Sequence, residues 1–297
     1  MREVIIASDL GWGNLNGYDG KGDFICPATF GVGVDKLDNS GYQVIYDNEK
    51  YLIGDKTLSY SRGIKKELLQ NKLMMYLTIF NFVDDGDHVK LVVSCPVDVY
   101  LNRESRLSFK KFLLEKKQVN LTVDGISKTF YLDKLEIVAE GSGVMYNAPE
   151  RFADKTMGII DIGAGTINFL YTHDLNIIRE QTFSEVAGIH HLRTQVRDEL
   201  KKNGIIINMI EVDEILKSNK YKDITGLVIE RYINRIEKTI VEHSWSKHVP
   251  LVFTGGGSLL LSDKIVDRFS NSTVSTSPLV DNVHGNYQIG VLLWSKS

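Results

Sequence analysis

The chain has 297 residues, of which 43% are hydrophobic and 25% charged, and its formal net charge is −3. This composition is that of a folded globular protein, and the length allows two domains of ordinary size. The charge balance gives no support for a basic nucleic-acid or membrane surface, and the longest uncharged apolar run, residues 73–83, is shorter than the about 20 residues of a membrane-spanning helix. We therefore expect a cytoplasmic protein that contacts neither nucleic acid nor membrane directly.

Apolar segments rich in β-branched residues recur along the chain, separated by turn-forming residues, and each predicts a strand. In chain order they read EVIIAS, YQVIYD, KYLIGD, VKLVVSCP, VNLTVDG, KTFYLDKLEIVAE, MGIIDIG, INFLYT and VPLVFTGGG.

Three longer segments carry apolar residues at helical spacing and predict helices over residues 62–82, 185–204 and 223–245. The predicted buried faces are Ile64, Leu68, Leu69, Leu73, Tyr76, Leu77 and Phe80 in the first, Ile189, Leu192, Val196 and Leu200 in the second, and Leu227, Val228, Tyr232, Ile236, Ile240 and Val241 in the third. Strands that alternate with helices predict an α/β architecture.

An acidic, glycine-rich turn occurs twice, as DLGWGNLNG from residue 9 and as DIGAGT from residue 161, each directly after a predicted strand. Glycines let backbone N–H groups approach a phosphate closely. An aspartate beside that phosphate is favourable if Mg²⁺ lies between them, because Mg²⁺ is held by one or two carboxylates plus substrate phosphates. The pair predicts a polyphosphate clamped from both sides, with Asp9 and Asp161 as metal ligands through water, and the repetition predicts a duplicated subdomain.

A third glycine-rich segment, TGGG at 254–257, follows the last predicted strand. Consecutive glycines are unfavourable for backbone entropy, and they suit a flat ligand such as a purine lying against bare backbone. An ordinary turn between strand and helix is the alternative.

In this order the three segments resemble phosphate loop one, phosphate loop two and the adenosine loop of the actin, Hsp70 and sugar-kinase ATPase superfamily. The chain length and the segments VVSCPVDVY, AEGSGVMYN, AGIHHL and DNVHGNYQIGVLLW are similar to the bacterial ParM-type actin-like proteins of plasmid segregation. The resemblance implies an actin/Hsp70-like α/β fold of duplicated ribonuclease-H-like domains around a nucleotide cleft. Domain I would comprise residues 1–150, with a small insertion at about 30–90 and a C-terminal segment, about 286–297, packed back onto it; domain II would comprise 151–285.

The resemblance also implies the roles of individual residues. Glu140 would orient the attacking water, with a helix N-terminal glutamate that complements the helix dipole as the alternative, and Asp161 would share the catalytic role. The implied nucleotide-binding residues are Asp9, Gly11, Gly13, Asn14, Asn16, Gly163, Gly165, Thr166, Gly188 near the ribose, Glu211, and Gly255, Gly256 and Gly257 at the base.

One position departs from the family pattern. A lysine commonly lies seven residues after the first aspartate, where this chain has Asn16. A neutral amide hydrogen-bonds a phosphate without neutralising it, and Lys21 is an alternative source of charge. The departure bears on nucleotide affinity and hydrolysis rate rather than on binding itself.

The function implied by the resemblance is a filament-forming ATPase that uses Mg²⁺ and ATP, with GTP left open. The filaments would segregate plasmid DNA through a DNA-binding adaptor protein. A small-molecule kinase of the sugar-kinase type is the alternative from the same superfamily. A cell-shape or division scaffold ranks below both, because the termini do not read as amphipathic membrane anchors.

Overall fold

The structure of the protein, a computed structural model, describes residues 1–58, 68–218 and 220–295. Contacts divide the chain into two units: unit 1 comprises Met1–Arg151 and Leu279–Ser297, and unit 2 comprises Phe152–Pro278. Within the described ranges no helix is long and apolar enough to cross a membrane.

The strands are β1 (Glu3–Leu10), β2 (Asn14–Tyr18), β3 (Asp23–Pro27), β4 (Phe30–Val32), β5 (Tyr42–Tyr46), β6 (Glu49–Ile53), β7 (Asp87–Cys95), β8 (Gln118–Val123), β9 (Ile126–Ala139), β10 (Thr156–Ile162), β11 (Ile167–His173), β12 (Asn176–Ile177), β13 (Phe183–Glu185), β14 (Leu251–Thr254) and β15 (Ser272–Val274). The helices are α1 (Leu69–Phe80), α2 (Val97–Leu101), α3 (Arg103–Leu113), α4 (Gly143–Asn147), α5 (Pro149–Phe152), α6 (Ile189–Lys202), α7 (Met209–Ser218), α8 (Lys222–Glu242), α9 (Gly256–Leu260), α10 (Ser262–Arg268) and α11 (Asp281–Trp294), with a 3₁₀ helix at Arg179–Gln181. Each of the predicted strand segments contains a strand, and the predicted α/β class is confirmed.

The two units share the arrangement of five strands, β3-β2-β1-β7-β9 in unit 1 and β12-β11-β10-β14-β15 in unit 2. Unit 1 has the order β3-β2-β1-β7-β9-β8-β5-β6-β4, and unit 2 has β12-β11-β10-β14-β15, with β13 also paired to β11. In each unit the first strand pairs antiparallel with the next strand and parallel with a later one. The repeated turn in the sequence therefore belongs to a repeated sheet arrangement.

In unit 1, two helices cover opposite faces of the central strands. α1 lies on the face where Gly17 of β2 meets Thr78, and α11 lies on the other face, where Gly290 packs against Ile5 and Val92. Most residues of α1 are buried, including the polar residue Lys72. The buried surface of α1 is therefore wider than the apolar stripe that the sequence predicted. The predicted residues Leu73, Tyr76, Leu77 and Phe80 are buried whereas Leu69 is exposed, and residues 62–67 lie outside the described ranges.

In unit 2, the sheet packs against α6 and α8. The predicted face of α6 is confirmed, since Ile189, Leu192, Val196 and Leu200 are all buried. In α8, the predicted Val228, Tyr232, Ile236 and Ile240 are buried. The prediction was wrong for Leu227 and Val241, which are 67% and 53% exposed. Leu227 precedes the buried Val228 and Val241 follows the buried Ile240. Adjacent residues lie about 100° apart around a helix, so both side chains lie outside the buried face.

Two glycines of unit 2, one packed in the core and one with open space around it, allow a test of the packing. A Cβ at Gly158 in β10 would lie 2.5 Å from Trp245 Cζ3 and 2.7 Å from Leu251 Cδ2, whereas a Cβ at Gly226 in α8 has no neighbour within 4 Å. We expect Gly158→Ala to lower the free energy of unfolding by about 1–3 kcal/mol through overpacking. Gly226→Ala should raise it by about 0.4–1 kcal/mol. Urea unfolding followed by tryptophan fluorescence measures both, and a neutral Gly158→Ala would contradict the packing described.

Candidate functional site

The first acidic turn joins β1 to β2. Asp9 lies near the end of β1, and Gly11 and Gly13 lie between the strands. A Cβ at Gly11 would be 2.7 Å from the Asn14 carbonyl oxygen, so the turn is too tight for a side chain there. Gly13 O accepts a hydrogen bond of 3.0 Å from Ala28 N, which ties the turn to the chain after β3.

Asp9 lies in a row of polar side chains across three strands. Asn16 of β2 is its antiparallel partner, and Ser94 of β7 is its parallel partner. Partners in adjacent strands project to the same face. Ser94 Oγ donates a hydrogen bond of 2.5 Å to Asp9 Oδ1, and all three side chains are buried. The carboxylate of Asp9 is therefore held at the end of β1 by its neighbours.

The second acidic turn repeats this row in unit 2. Asp161 of β10 has Asn168 of β11 as its antiparallel partner and Thr254 of β14 as its parallel partner. All three side chains are buried. The turn is closed by a hydrogen bond of 2.9 Å from Gly163 N to Thr166 O. Each unit thus places an aspartate between a carboxamide and a hydroxyl.

The row contains functional candidates that the sequence analysis missed. Ser94, Asn168 and Thr254 were not among the predicted site residues. For Asn168 the sequence did contain a signal, because an asparagine follows each aspartate by seven positions. That common spacing could have identified Asn168 as a site residue. It also gives Asn16 a structural context, because Asn16 occupies the position of Asn168 in the repeated sheet. Lys21, the alternative source of charge, lies in the exposed turn between β2 and β3.

The start of α6 holds the second turn in place. Gly188 N donates to Gly165 O at 3.1 Å, Ile189 N to Gly163 O at 3.0 Å, and His190 N to Ala164 O at 2.9 Å. A Cβ at Gly188 would lie 2.6 Å from the carbonyl oxygens of Gly163 and Ala164. Gly188 therefore lets the helix pack directly on the turn, and its proximity to a ribose stays a prediction.

The third glycine segment packs against the same aspartate. Gly255 has φ +80°, and a Cβ there would collide with Asp161 Oδ1. A Cβ at Gly257 would collide with side-chain carbons of Ile162 and Ile189. Packing thus requires two of the three glycines, whereas Gly256 is exposed. The base-binding role of this segment stays a prediction, and Gly256 is its most accessible member.

Glu140 follows the last residue of β9 and precedes α4. Its side chain is 8% exposed, and its N–H donates to Cys95 O at 2.8 Å, one residue beyond Ser94. Glu140 is the one carboxylate in residues 139–147, and burial raises the pKa of the Tyr146 phenol in the same segment. Because α4 begins three residues later and has only five residues, a helix-dipole role for Glu140 gains little support.

Glu211 lies in the first turn of α7, and its side chain contacts the start of the same helix. Its Oε2 accepts a hydrogen bond of 2.6 Å from Asn208 N, which satisfies a backbone donor at the helix start. The role of Glu211 in nucleotide binding stays a prediction.

Each acidic row offers ligands of the kind that Mg²⁺ takes when it is bound largely through water. Among the described residues, no group of three or more His, Cys, Asp or Glu side chains is placed to hold a metal ion. Mg²⁺ does not need such a group, because it retains several waters and takes one or two carboxylates plus phosphate oxygens. Asp9 in unit 1 and Asp161 in unit 2 each lie beside a carboxamide and a hydroxyl, and their role as metal ligands through water stays a prediction.

Comparison with known proteins supports the resemblance to actin-like proteins that the sequence motifs indicated. Residues 7–143 match the family model described as Actin like proteins N terminal domain. The matched segment includes Asp9, Asn16, Ser94 and Glu140. The chain has the actin-like fold. No curated protein sequence matches it.

Solved structures with the actin-like fold align over nearly the whole chain. The archaeal actin homolog Ta0583 in complex with ADP is 18% identical, with 98% of this chain and 99% of that chain covered and a TM-score of 0.80. The apo psk41 ParM protein is 17% identical, with coverages of 100% and 99% and a TM-score of 0.78. A 15-stranded ParM filament from Clostridium botulinum is 16% identical, with coverages of 98% and 100% and a TM-score of 0.81. The resemblance inferred from the sequence motifs is confirmed at the level of the fold.

The contact between Gly255 and Asp161 gives a test of the second row. We expect Gly255→Ala to displace the Asp161 carboxylate and to weaken Mg²⁺-dependent nucleotide binding by at least about tenfold, since one lost charge-assisted contact contributes roughly 1.5–3 kcal/mol. Gly204→Ala is the control, because Gly204 also has positive φ, +78°, but open space around its Cβ position. Calorimetric titration with nucleotide measures the effect; equal affinities for the two variants would show that Asp161 is not involved.

Proposed function

We propose that this actin-like chain binds and hydrolyses a magnesium-bound nucleoside triphosphate, and that the bound nucleotide controls head-to-tail assembly into filaments. In this proposal the filaments segregate plasmid DNA through a DNA-binding adaptor protein. The observation that carries the proposal is the duplicated polar row, in which each unit holds a buried aspartate directly before a glycine turn.

In this proposal the aspartates of the two turns hold the Mg²⁺ ion, and backbone N–H groups of the second turn bind the phosphates. The nucleotide supplies the terminal phosphoanhydride, and Mg²⁺ supplies positive charge that offsets the phosphate charge. Asp9 and Asp161 are the residues that would hold the ion through its water. Because Gly163 N–H is already bonded to Thr166 O, we assign phosphate binding in the second turn to the N–H groups of Gly165 and Thr166.

Glu140 is the proposed base for hydrolysis. Its carboxylate accepts a proton from the attacking water as the water oxygen bonds to the terminal phosphorus, and the diphosphate leaves with the electrons of the broken bond. Glu140 is suited to this because its backbone is anchored to the end of β7 beside the Asp9 row. The ADP bound by the archaeal actin homolog supports a nucleotide as the ligand.

Asn16 makes the first turn electrically different from the family pattern. Its amide would hydrogen-bond a phosphate oxygen without adding positive charge. In this proposal, therefore, neutralisation of the phosphates near Asp9 depends on Mg²⁺ more than it would with a lysine at that position.

Assembly into filaments is supported by the similar structures and by the surface. One of those structures is a ParM filament. A contact between two different surfaces of identical copies repeats without closing and produces a filament. Leu37 on unit 1 and Ile206 and Ile210 on unit 2 are 95%, 85% and 80% exposed, and in this proposal the contacts between copies cover such side chains. The net charge of −3 favours an adaptor as the DNA-binding partner.

The proposed base is tested by Glu140→Gln, which keeps the shape of the side chain but removes its proton acceptor. We expect hydrolysis to fall at least about 100-fold, the lower range for a general base, while nucleotide affinity stays within about twofold and assembly persists. Glu150→Gln, an exposed glutamate in α5, is the control and should behave as wild type. Phosphate release, nucleotide titration and light scattering give the three readouts.

Two results would count against the proposal. Hydrolysis by Glu140→Gln at the wild-type rate would remove Glu140 from the chemistry. A wild-type chain that stays monomeric by light scattering and electron microscopy with both Mg-ATP and Mg-GTP would remove the filament. ADP release that requires an added sugar or similar hydroxyl compound would instead favour the kinase alternative.

A further inference from the structure

A side chain of the C-terminal helix α11 contacts the segment that carries Glu140. Asn282, in the first turn of α11, accepts a hydrogen bond at Oδ1 from Gly141 N at 2.9 Å. Gly141 has φ +88°, a backbone conformation open mainly to glycine. Because glycine is also the most flexible residue, the peptide after Glu140 needs an external contact to stay in one orientation.

Backbone hydrogen bonds also hold the segment from the side of the sheet. Glu140 N donates to Cys95 O at 2.8 Å, which joins its amide to the end of β7, and Ser142 N donates to Ala139 O at 3.1 Å within the turn itself. The amide of Gly141 is the next donor along the chain, and Asn282 supplies its acceptor. Strand β7 and helix α11 thus fix successive peptides on the two sides of the Glu140 Cα.

α11 provides a firm support for this contact. The backbones of Gly285 and Gly143 are in direct contact, with no space for a Cβ at Gly285. His284 Nε2 lies 2.7 Å from Asp23 Oδ1, which connects the helix to β3. These contacts, within three positions of Asn282 in α11, restrict its shift relative to α4 and the sheet of unit 1.

We propose that Asn282 is a positioning residue for Glu140, so that its side-chain oxygen sets the direction of the carboxylate used in nucleotide hydrolysis. The inference rests on the proposed function, because it assumes that Glu140 acts on the attacking water. It requires an acceptor oxygen at this position rather than an amide as such. Aspartate should therefore replace Asn282 in part or in full, whereas alanine should not.

The test compares Asn282→Ala, Asn282→Asp and Gln288→Ala, the last at an exposed position of the same helix. We expect Asn282→Ala to lower kcat by about 10- to 100-fold, since displacement of a reacting group by about 1 Å has effects of that order. The Kd for Mg-ATP should stay within about twofold. Asn282→Asp should recover most of kcat, and Gln288→Ala should match wild type. Asn282→Gln, which moves the acceptor by one methylene, should also lower kcat and serves if the alanine variant does not fold.

Amide hydrogen exchange at Gly141 separates this inference from the proposed function. Asn282→Ala should speed that exchange by about tenfold or more, because the amide loses its acceptor, while Asn282→Asp and Gln288→Ala should leave it slow. If wild type hydrolyses nucleotide and Asn282→Ala keeps its kcat despite faster exchange, the positioning role is overturned and the proposed function stands. If wild type hydrolyses neither ATP nor GTP, the proposed function fails first, and the role assigned to Asn282 fails with it.

Discussion

Strand register places each of the two aspartates between a carboxamide and a hydroxyl, and the surrounding structure depends on that placement. The aspartate lies near the end of a strand that pairs antiparallel on one side and parallel on the other. Partner residues project to the same face, and a slip of one residue would turn the aspartate to the opposite face. A single acidic turn thus requires three correctly paired strands, and the chain builds that arrangement in each unit.

The neighbouring elements keep the aspartates and turns in position. Ser94 hydrogen-bonds Asp9 directly, and Gly255 leaves room for the Asp161 carboxylate. The first amides of α6 bind the carbonyls of the second turn, while α11 reaches the peptide after Glu140 through a side chain. Several glycines that suggested ligand contact are therefore required by close packing.

The sequence predicted features that depend on local pattern. The strands with β-branched runs and the buried face of α6 follow from periodicity alone. Residues whose role depends on pairing were missed: Ser94 and Thr254 become neighbours of an aspartate only through the parallel register. The sequence did not predict β2, β3 or α11. Strands β2 and β3 are short and partly polar, and α11 has glycines at its closest contacts, so none of the three shows a clear apolar pattern. The ordered set of three glycine segments predicted the fold, which solved structures of 16–18% sequence identity share.

The central claim of the proposed function is that Asp9 and Asp161 act on the same magnesium-bound nucleotide. Its most direct test is a double-mutant cycle with Asp9→Asn and Asp161→Asn, in which calorimetry gives the Mg²⁺-dependent nucleotide affinity of each variant. If both carboxylates bind one ion through water, each single variant loses affinity, and the loss in the double variant differs from the sum by about 0.5–3 kcal/mol. Strict additivity, or wild-type affinity in either single variant, would contradict the account.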